Sequence, residues 1–159
     1  MSQAPVLIFA AVMALIMASR ADALCSGASV SQEFREADLV IRTRLNSEVN
    51  IWSDEPSKAY QAKWGDGGPV VLYGLHVEKV YKGSPRPAVR FFEERNIGAF
   101  YLDPDKDYLL FLNRRVPDQS QPLAARGAFY VRYACGQSKL WSQVQLRDLT
   151  ELGKLSGRK

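Results

Sequence analysis

The chain has 159 residues, 47% of them hydrophobic, and a formal net charge of +4 at pH 7. This length fits one domain with a core of its own, and so mild a basic excess does not identify an anionic partner. With a single histidine and two cysteines, the chain offers no obvious zinc-ligand set and no cysteine–histidine nucleophile pair. We therefore expect no enzyme active site, no cofactor and no metal of its own.

The N-terminus is typical of an export signal. The unbroken apolar run Val6–Ala18 is shorter than the roughly 20 residues that a bilayer-spanning helix needs. Ala21–Ala23 then gives the small-x-small pattern of a cleavage site. We predict a signal peptide over 1–23 and a mature domain over 24–159, secreted into the extracellular space or the periplasm as a monomer without a transmembrane anchor. A membrane anchor is the alternative, because no Lys or Arg precedes the run.

The mature sequence alternates between apolar and polar residues, which predicts strands. Five strands are predicted, over Asp38–Leu45, Val71–Lys82, Ala88–Phe92, Tyr108–Leu112 and Ala128–Cys135. The run Tyr108–Leu112 is almost continuously apolar, which indicates that both of its faces are buried. The predicted core residues are Leu39, Ile41, Val77, Leu110 and Val131.

The period changes near the C-terminus. Leu146, Leu149 and Leu152 recur at three-residue steps, Ser142 is a candidate N-cap and Gly153 a candidate stop, which together predict a helix. The sequence therefore predicts a mainly β fold: an OB-like five-stranded Greek-key barrel with a C-terminal helix.

The two cysteines are far apart in the sequence. Cys25 follows the predicted signal peptide, and Cys135 ends the last predicted strand. A secreted chain with one such pair most simply forms one disulfide between its start and its end. Trp141 is expected to pack near this bridge.

Four segments occur in an informative order. They are FREADLVIR at 34–42, VEKVYKG at 77–83, DYLLF at 107–111, and Cys135 with Trp141 six residues later. Together they resemble the F-C-x-x-D-L-V-I-R-A, V-Y-K-G, K-x-Y-L-I-x-G and C-x5-W patterns of tissue inhibitors of metalloproteinases and netrin-like domains. The resemblance implies an OB-like five-stranded barrel, in agreement with the strand count.

The resemblance implies a binding function, and the departures from it leave the mode open. Inhibitory members begin with Cys-x-Cys, and the α-amine and carbonyl of the first cysteine chelate the zinc of the protease. Cys25 matches the second of these cysteines, the first falls on Ala23, and the segment 96–99 that matches the partner of the first has no cysteine. Arg35 stands where the family has a further cysteine. The one bridge that the resemblance retains is Cys25–Cys135.

Two functions follow from this comparison. In the first, the protein inhibits a zinc metalloprotease, and Leu24, Cys25 and Ser26 enter the active-site cleft with the N-terminal α-amine on the zinc. Cleavage before Cys25 would instead make the cysteine the first residue. In the second, a non-inhibitory extracellular or periplasmic module binds another protein through the barrel surface.

Other sites are less well supported by the residues. His76 falls in mid-strand on the more polar face, which favours a solvent-facing histidine. Asp103, Asp105 and Asp107 alternate as in a calcium loop, but the Gly and Glu of that motif are missing, which favours a solvated turn. Aromatic residues of OB-like barrels bind single-stranded nucleic acid in some proteins. We expect Tyr73, Phe91 and Tyr130 to serve the core instead, and no nucleic-acid partner, because the chain carries an export signal.

Overall fold

The computed structural model describes residues 27–51, 70–85, 89–94, 100–114, 125–132 and 136–157. Within these residues six strands form one sheet: β1 (Leu39–Ile51), β2 (Val70–Lys82), β3 (Val89–Glu94), β4 (Asp107–Arg114), β5 (Phe129–Val131) and β6 (Lys139–Leu140). Helix α1 (Val30–Glu36) precedes the sheet, and a 3₁₀ helix (Trp141–Gln143) and α2 (Leu146–Ser156) follow it.

Five of these strands close into a barrel. Their order is β1-β2-β3-β5-β4, and β4 pairs back onto β1 from Leu39 opposite Leu112 to Arg44 opposite Asp107. The β3–β5 pair is parallel, and the other pairs are antiparallel. The short β6 pairs with β4 beside the ring. The predicted OB-like barrel with a C-terminal helix is confirmed.

The barrel interior is one hydrophobic core, which we call the inner core. It is formed by alternate residues of the strands, because successive side chains on a strand point to opposite faces. Its buried members are Leu39, Ile41, Val71, Tyr73, Leu75, Val89, Phe91, Leu102, Tyr108, Leu110 and Leu112. Of the predicted core residues, Leu39, Ile41 and Leu110 are buried here, while Val77 and Val131 are partly buried against it.

A second hydrophobic core, the outer core, lies between the barrel and the helices. Val40, Leu109 and Phe111 point outward from β1 and β4. They pack against residues of α1 and α2, namely Val30, Phe34 and Leu152. Both faces of β4 are therefore buried, as its apolar run predicted.

The strand ends differ from the predicted ones. β1 continues beyond Leu45 to Ile51 and pairs with the first half of β2. The sequence placed this polar stretch in a loop, but the register shift between Leu45 and Ser47 is a β-bulge that absorbs Asn46 and lets pairing resume. β5 is shorter than predicted at its described end, Val131, and residues 133–135 lie outside the described residues.

The C-terminal helix was predicted with the wrong ends. Ser142 lies in the 3₁₀ helix, and α2 begins after Gln145, whose backbone N–H donates to the Asp148 carboxylate at 3.2 Å. Gly153 does not end the helix, which continues to Ser156 with Gly157 as its C-cap. A glycine is tolerated there because helix propensity is a weak preference that packing overrides.

Helix α1 was not predicted. Ser29 caps it by accepting a hydrogen bond from the Gln32 backbone N–H at 3.2 Å. Val30 and Phe34, four positions apart, form its buried stripe on the outer core. Seven residues make a helix too short to be stable alone, so it forms because this stripe is packed.

Candidate functional site

The predicted binding residues Leu24, Cys25 and Ser26 lie outside the described residues, as does Cys135. The binding segment and the disulfide therefore stay predictions. The described chain begins at Gly27, directly after this segment. The described residues nearest to this predicted site are those that follow Cys25 and Cys135 in the chain, and their contacts are given next.

The first described residues are held against the segment that follows Cys135. Gln137 Nε2 donates to the Ala28 carbonyl oxygen at 2.7 Å, and the Gln137 backbone N–H donates to Glu33 Oε2 at 2.5 Å. Gly136 lies against the same carboxylate, since a Cβ there would come within 2.7 Å of Glu33 Oε1. These contacts join the chain just after Cys25 to the chain just after Cys135.

The Glu33 carboxylate at this junction is buried, with 1% of the residue exposed. Desolvation raises its pKa above the ordinary 4.5, the nearby Glu36 adds to the rise, and the Gln137 N–H and Lys139 oppose it. Among the described residues, its Oε1 atom has no hydrogen-bond partner. A buried carboxylate that is only partly paired reduces stability in its charged form, so Glu33 makes this junction sensitive to pH.

The V-Y-K-G segment at the end of β2 holds the other end of α1. Lys82 Nζ donates to the carbonyl oxygens of Phe34, Arg35 and Ala37, at 2.7, 2.9 and 2.5 Å. A cation at these orphan carbonyls caps the helix and complements its dipole. Gly83 follows with φ of +84°, and a Cβ there would come within 2.6 Å of the Asp38 carbonyl oxygen. The lysine thus holds the end of α1, and the glycine allows the close approach of the end of β2 to Asp38.

A second cluster joins β1 to the segment before α2. The Arg42 guanidinium lies 4.4 Å from the centroid of the Trp141 ring. Arg42 also pairs with Glu78 at 2.9 Å and with Asp107, whose other oxygen binds Arg44 at 2.7 Å. Hydrogen bonds from Arg42 and Arg44 hold the pKa of Asp107 below its ordinary 3.8. Trp141 packs on the outer core, and the bridge beside which it was expected is not among the described residues.

The residues that carry the family resemblance therefore contact one another. Asp38 accepts from the Arg114 backbone N–H at 2.7 Å, and its own N–H donates to the Leu112 carbonyl at 2.9 Å, which closes β1 onto β4. The contacts of Lys82 and Arg42 place the described residues of the four patterns, Trp141 alone for the fourth, along one seam between the barrel and the helices. In these contacts the described motif residues hold the fold together.

Other predicted sites are simple surface or core features. His76 is exposed on β2, Tyr73 and Phe91 stack in the inner core with ring centroids 5.7 Å apart, and Tyr130 is half-buried. In the acidic turn, Asp103 pairs with Lys106 at 2.7 Å and Asp107 binds the two arginines. Among the described residues, no three His, Cys, Asp or Glu side chains cluster so as to hold a metal ion.

A surface groove between α1 and α2, which we call the helix groove, has a volume of about 780 Å³. It is lined by Ser31 and Arg35 of α1, and by Leu146, Arg147, Thr150, Glu151, Lys154 and Leu155 of α2. Sequence reasoning missed this groove because it missed α1. Ser29 followed by Gln32 and Glu33 was the available signal, since an N-cap residue with Glu or Gln in the first turn marks a helix start.

No protein-family model and no curated protein matches this chain. Within the described ranges, neither helix has the length and apolar character that a membrane crossing requires.

Proposed function

We propose that this chain is a secreted, monomeric, netrin-like protein-binding domain without enzymatic activity, and that its mature N-terminus inhibits a zinc metalloendopeptidase. Leu24, Cys25 and Ser26 are the residues that enter the active-site cleft. The observation that supports this proposal is the junction of Ala28, Glu33 and Gln137, which fixes the chain directly after the binding segment.

The same junction supports the Cys25–Cys135 disulfide. A chain extends at most about 3.6 Å per residue, so Cys25 is at most roughly 11 Å from Ala28 and Cys135 at most roughly 7 Å from Gln137. Ala28 and Gln137 are themselves joined by a hydrogen bond of 2.7 Å. Each cysteine is thus only two or three residues in sequence from this hydrogen bond, which is compatible with the proposed bridge.

An anchored N-terminus has the chemistry that zinc needs. An α-amine has a pKa of about 8, so its neutral form is accessible at neutral pH. Open catalytic zinc sites accept a nitrogen or oxygen ligand in place of water, and the adjacent carbonyl oxygen completes a chelate. Ordering a flexible terminus costs binding free energy, and contacts that fix the chain from Ala28 onward reduce that cost.

The test is a change at the N-terminus alone. Mass spectrometry of the secreted protein first establishes the mature N-terminal residue. Acetylation of its α-amine removes the lone pair, and one added alanine moves the amine by up to about 3.5 Å, which zinc coordination at about 2 Å cannot tolerate. Either change should abolish inhibition of a metalloendopeptidase panel, while an alanine added after Lys159 should not. Equal inhibition by native and acetylated protein would refute the mechanism.

The second candidate is a non-inhibitory module that binds another extracellular or periplasmic protein through the barrel surface. It is favoured by Ala23, which stands where the Cys-x-Cys pattern has its first cysteine. Absence of inhibition by native protein with a verified N-terminus, across the same panel, would favour this candidate.

A further inference from the structure

A pocket lies between the end of β2 and α2, where β2 departs from regular pairing with β1. The register with β1 shifts twice within 77–82, and the residues that it leaves unpaired are Glu78 and Tyr81. Such β-bulges re-aim side chains. Successive side chains on a regular strand point to opposite faces, yet Lys79, Val80 and Tyr81 all border the pocket. The bulges therefore bring three successive residues to one cavity.

One face of α2 forms the opposite wall of this cavity, which we call the bulge pocket. Leu149, Gly153 and Ser156 border it, and their spacing of four and three residues puts them on one side of the helix. Nothing lies within 4 Å of a Cβ built at Gly153, although a glycine inside a helix lowers its stability. Packing does not account for this glycine, whereas its missing side chain keeps the wall of the pocket open.

The described residues that border the bulge pocket include two cations and no carboxylate. Arg42 and Lys79 are direct cross-strand partners, and like charges in such positions repel each other. Arg42 is compensated by ion pairs with Glu78 and Asp107. Lys79 has no carboxylate partner among the described residues, and its ammonium lies 4.9 Å over the Tyr81 ring. An anion in the pocket would supply the missing counter-charge.

The rest of the border is aromatic and aliphatic. Trp141 is held in place under the Arg42 guanidinium, 4.4 Å from the ring centroid, and Val80 and Leu149 add aliphatic surface. The cavity has a volume of about 260 Å³, slightly below the roughly 300–1,000 Å³ of sites for drug-sized ligands. The occupant that fits is therefore small, with an apolar body and a negative charge.

We propose that the bulge pocket binds a small organic carboxylate whose apolar body is about one aromatic ring in size. The carboxylate pairs with Lys79, and the body lies against Trp141 and Leu149 beside the open position at Gly153. An inorganic anion would leave the apolar wall unused, and a neutral molecule would leave Lys79 without a counter-charge. The pocket uses no residue of the proposed N-terminal site, so the proposal holds whether or not the protein inhibits a protease.

The test uses 3-phenylpropionate as the probe. Acetate, which lacks the ring, and 3-phenylpropionamide, which lacks the charge, are the control ligands. NMR titration of the isotope-labelled full chain should show saturable shifts of the backbone amide signals of Val80, Tyr81 and Gly153. Both control ligands should bind at least about tenfold more weakly, because each loses either the charged contact or the apolar contact.

Two variants test the two parts of the pocket, each with a matched control on the exposed surface of α2 outside it. Lys79→Met should weaken binding of 3-phenylpropionate at least about tenfold, whereas Lys154→Met, which removes the same charge, should not. Gly153→Leu fills the cavity and should abolish binding, whereas Thr150→Leu should bind as the native protein does. Circular dichroism should show an unchanged fold in all four variants.

Three results would overturn the proposal. The first is the absence of saturable binding of 3-phenylpropionate by the native protein. The second is equal binding of acetate or of the amide, which would show that the site does not need both the ring and the charge. The third is native affinity in Lys79→Met or Gly153→Leu, or an equal loss in Lys154→Met, which would place the probe elsewhere or reduce the effect to net charge.

Discussion

The two faces of β4 serve two different cores. Tyr108, Leu110 and Leu112 point into the barrel, while Leu109 and Phe111 point out to the helices, and all five are almost completely buried. The inner core is formed by strands whose backbone pairing closes the ring. The outer core depends on two helices, which strand pairing does not join to the sheet.

The outer core is held instead by polar contacts at its edges. Lys82 binds the end of α1, Glu33 binds Gln137, and Lys139 binds Asp148 of α2 at 3.1 Å. We therefore expect the barrel to tolerate loss of the helical layer, whereas the helical layer should not survive loss of the barrel.

The largest expected effect comes from a cavity in the inner core. Leu110 has no exposed surface, and Leu110→Ala should cost about 3 to 5 kcal/mol of the free energy of unfolding, since the closed barrel cannot collapse around the cavity. Urea unfolding followed by circular dichroism measures this cost. All six strands should lose hydrogen-exchange protection together with the helices.

The matched change in the outer core is Leu152→Ala, at an equally buried residue of α2. It should cost about 2 to 4 kcal/mol, because the helix can shift toward the cavity. Hydrogen exchange should become faster in α1 and α2 while β1 and β4 stay protected. Equal loss of protection in all elements would contradict the separation of the two cores.

The next effect tests the close approach at the seam. Gly83→Ala should cost about 3 kcal/mol, because the positive φ strains an alanine and its Cβ would contact the Asp38 carbonyl oxygen. Gly127 has a φ of +73° with nothing within 4 Å of a Cβ, so Gly127→Ala should cost about 1 kcal/mol from strain alone. If thermal unfolding gives the two variants the same stability, the seam contact contributes nothing.

A smaller effect tests the cap of α1. Lys82→Met keeps the aliphatic stem but removes the ammonium that binds three carbonyl oxygens, and should cost about 2 kcal/mol. Lys79 lies 4.9 Å over the Tyr81 ring, and Lys79→Met should cost less than about 1 kcal/mol. Lys82→Met should therefore unfold at a lower urea concentration than Lys79→Met. The reverse order would show that the cap is unimportant.

The smallest effect is a change in pH dependence. The pKa of Glu33 is raised by burial, so its contribution to stability is fully present below pH 4.5 and is lost as the pH rises through the higher folded pKa. Glu33→Gln keeps an acceptor for the Gln137 N–H without the charge. Its stability relative to the native protein should therefore increase from pH 4 to pH 7 in thermal unfolding.

Asp107→Asn is the counterpart with the opposite sign. The pKa of Asp107 is lowered by Arg42 and Arg44, so its contribution is present above pH 3.8 and is lost as the pH falls through the lower folded pKa. The variant should lose stability at pH 7 and less of it at pH 3. A change of the same sign for both variants between these pH values would contradict the assigned charges.

The inner core was predictable from the sequence because period-two alternation places Leu39, Ile41 and Leu110 on one face whatever surrounds them. The C-terminal limit of β1 was not predictable from the sequence, because the bulge at Asn46 depends on how β1 pairs with β2. Ser142 was a good N-cap by residue type, but the 3₁₀ turn beginning at Trp141 moves the helix start to Gln145. Tertiary packing decides both of these positions.

The helical layer was less predictable for the same reason. Helix α1 is short, and it forms because Phe34 and Val30 are packed and Lys82 caps it. The helix groove follows from α1, for which Ser29 with Gln32 and Glu33 after it was the available sequence signal. The predicted binding residues could be inferred only from the family resemblance, since zinc binding by a terminal amine leaves no pattern of its own.

The most direct test of an anchored N-terminus is non-reducing peptide mapping of the full chain expressed in an exporting host. The proposed inhibitory N-terminus depends on a chain that is anchored next to Cys25, by the contacts of Ala28 and Gln137 and by the proposed bridge to Cys135. A bridged chain should give one linked peptide pair that contains Cys25 and Cys135, which separates on reduction. Recovery of both cysteines as free thiols would contradict it.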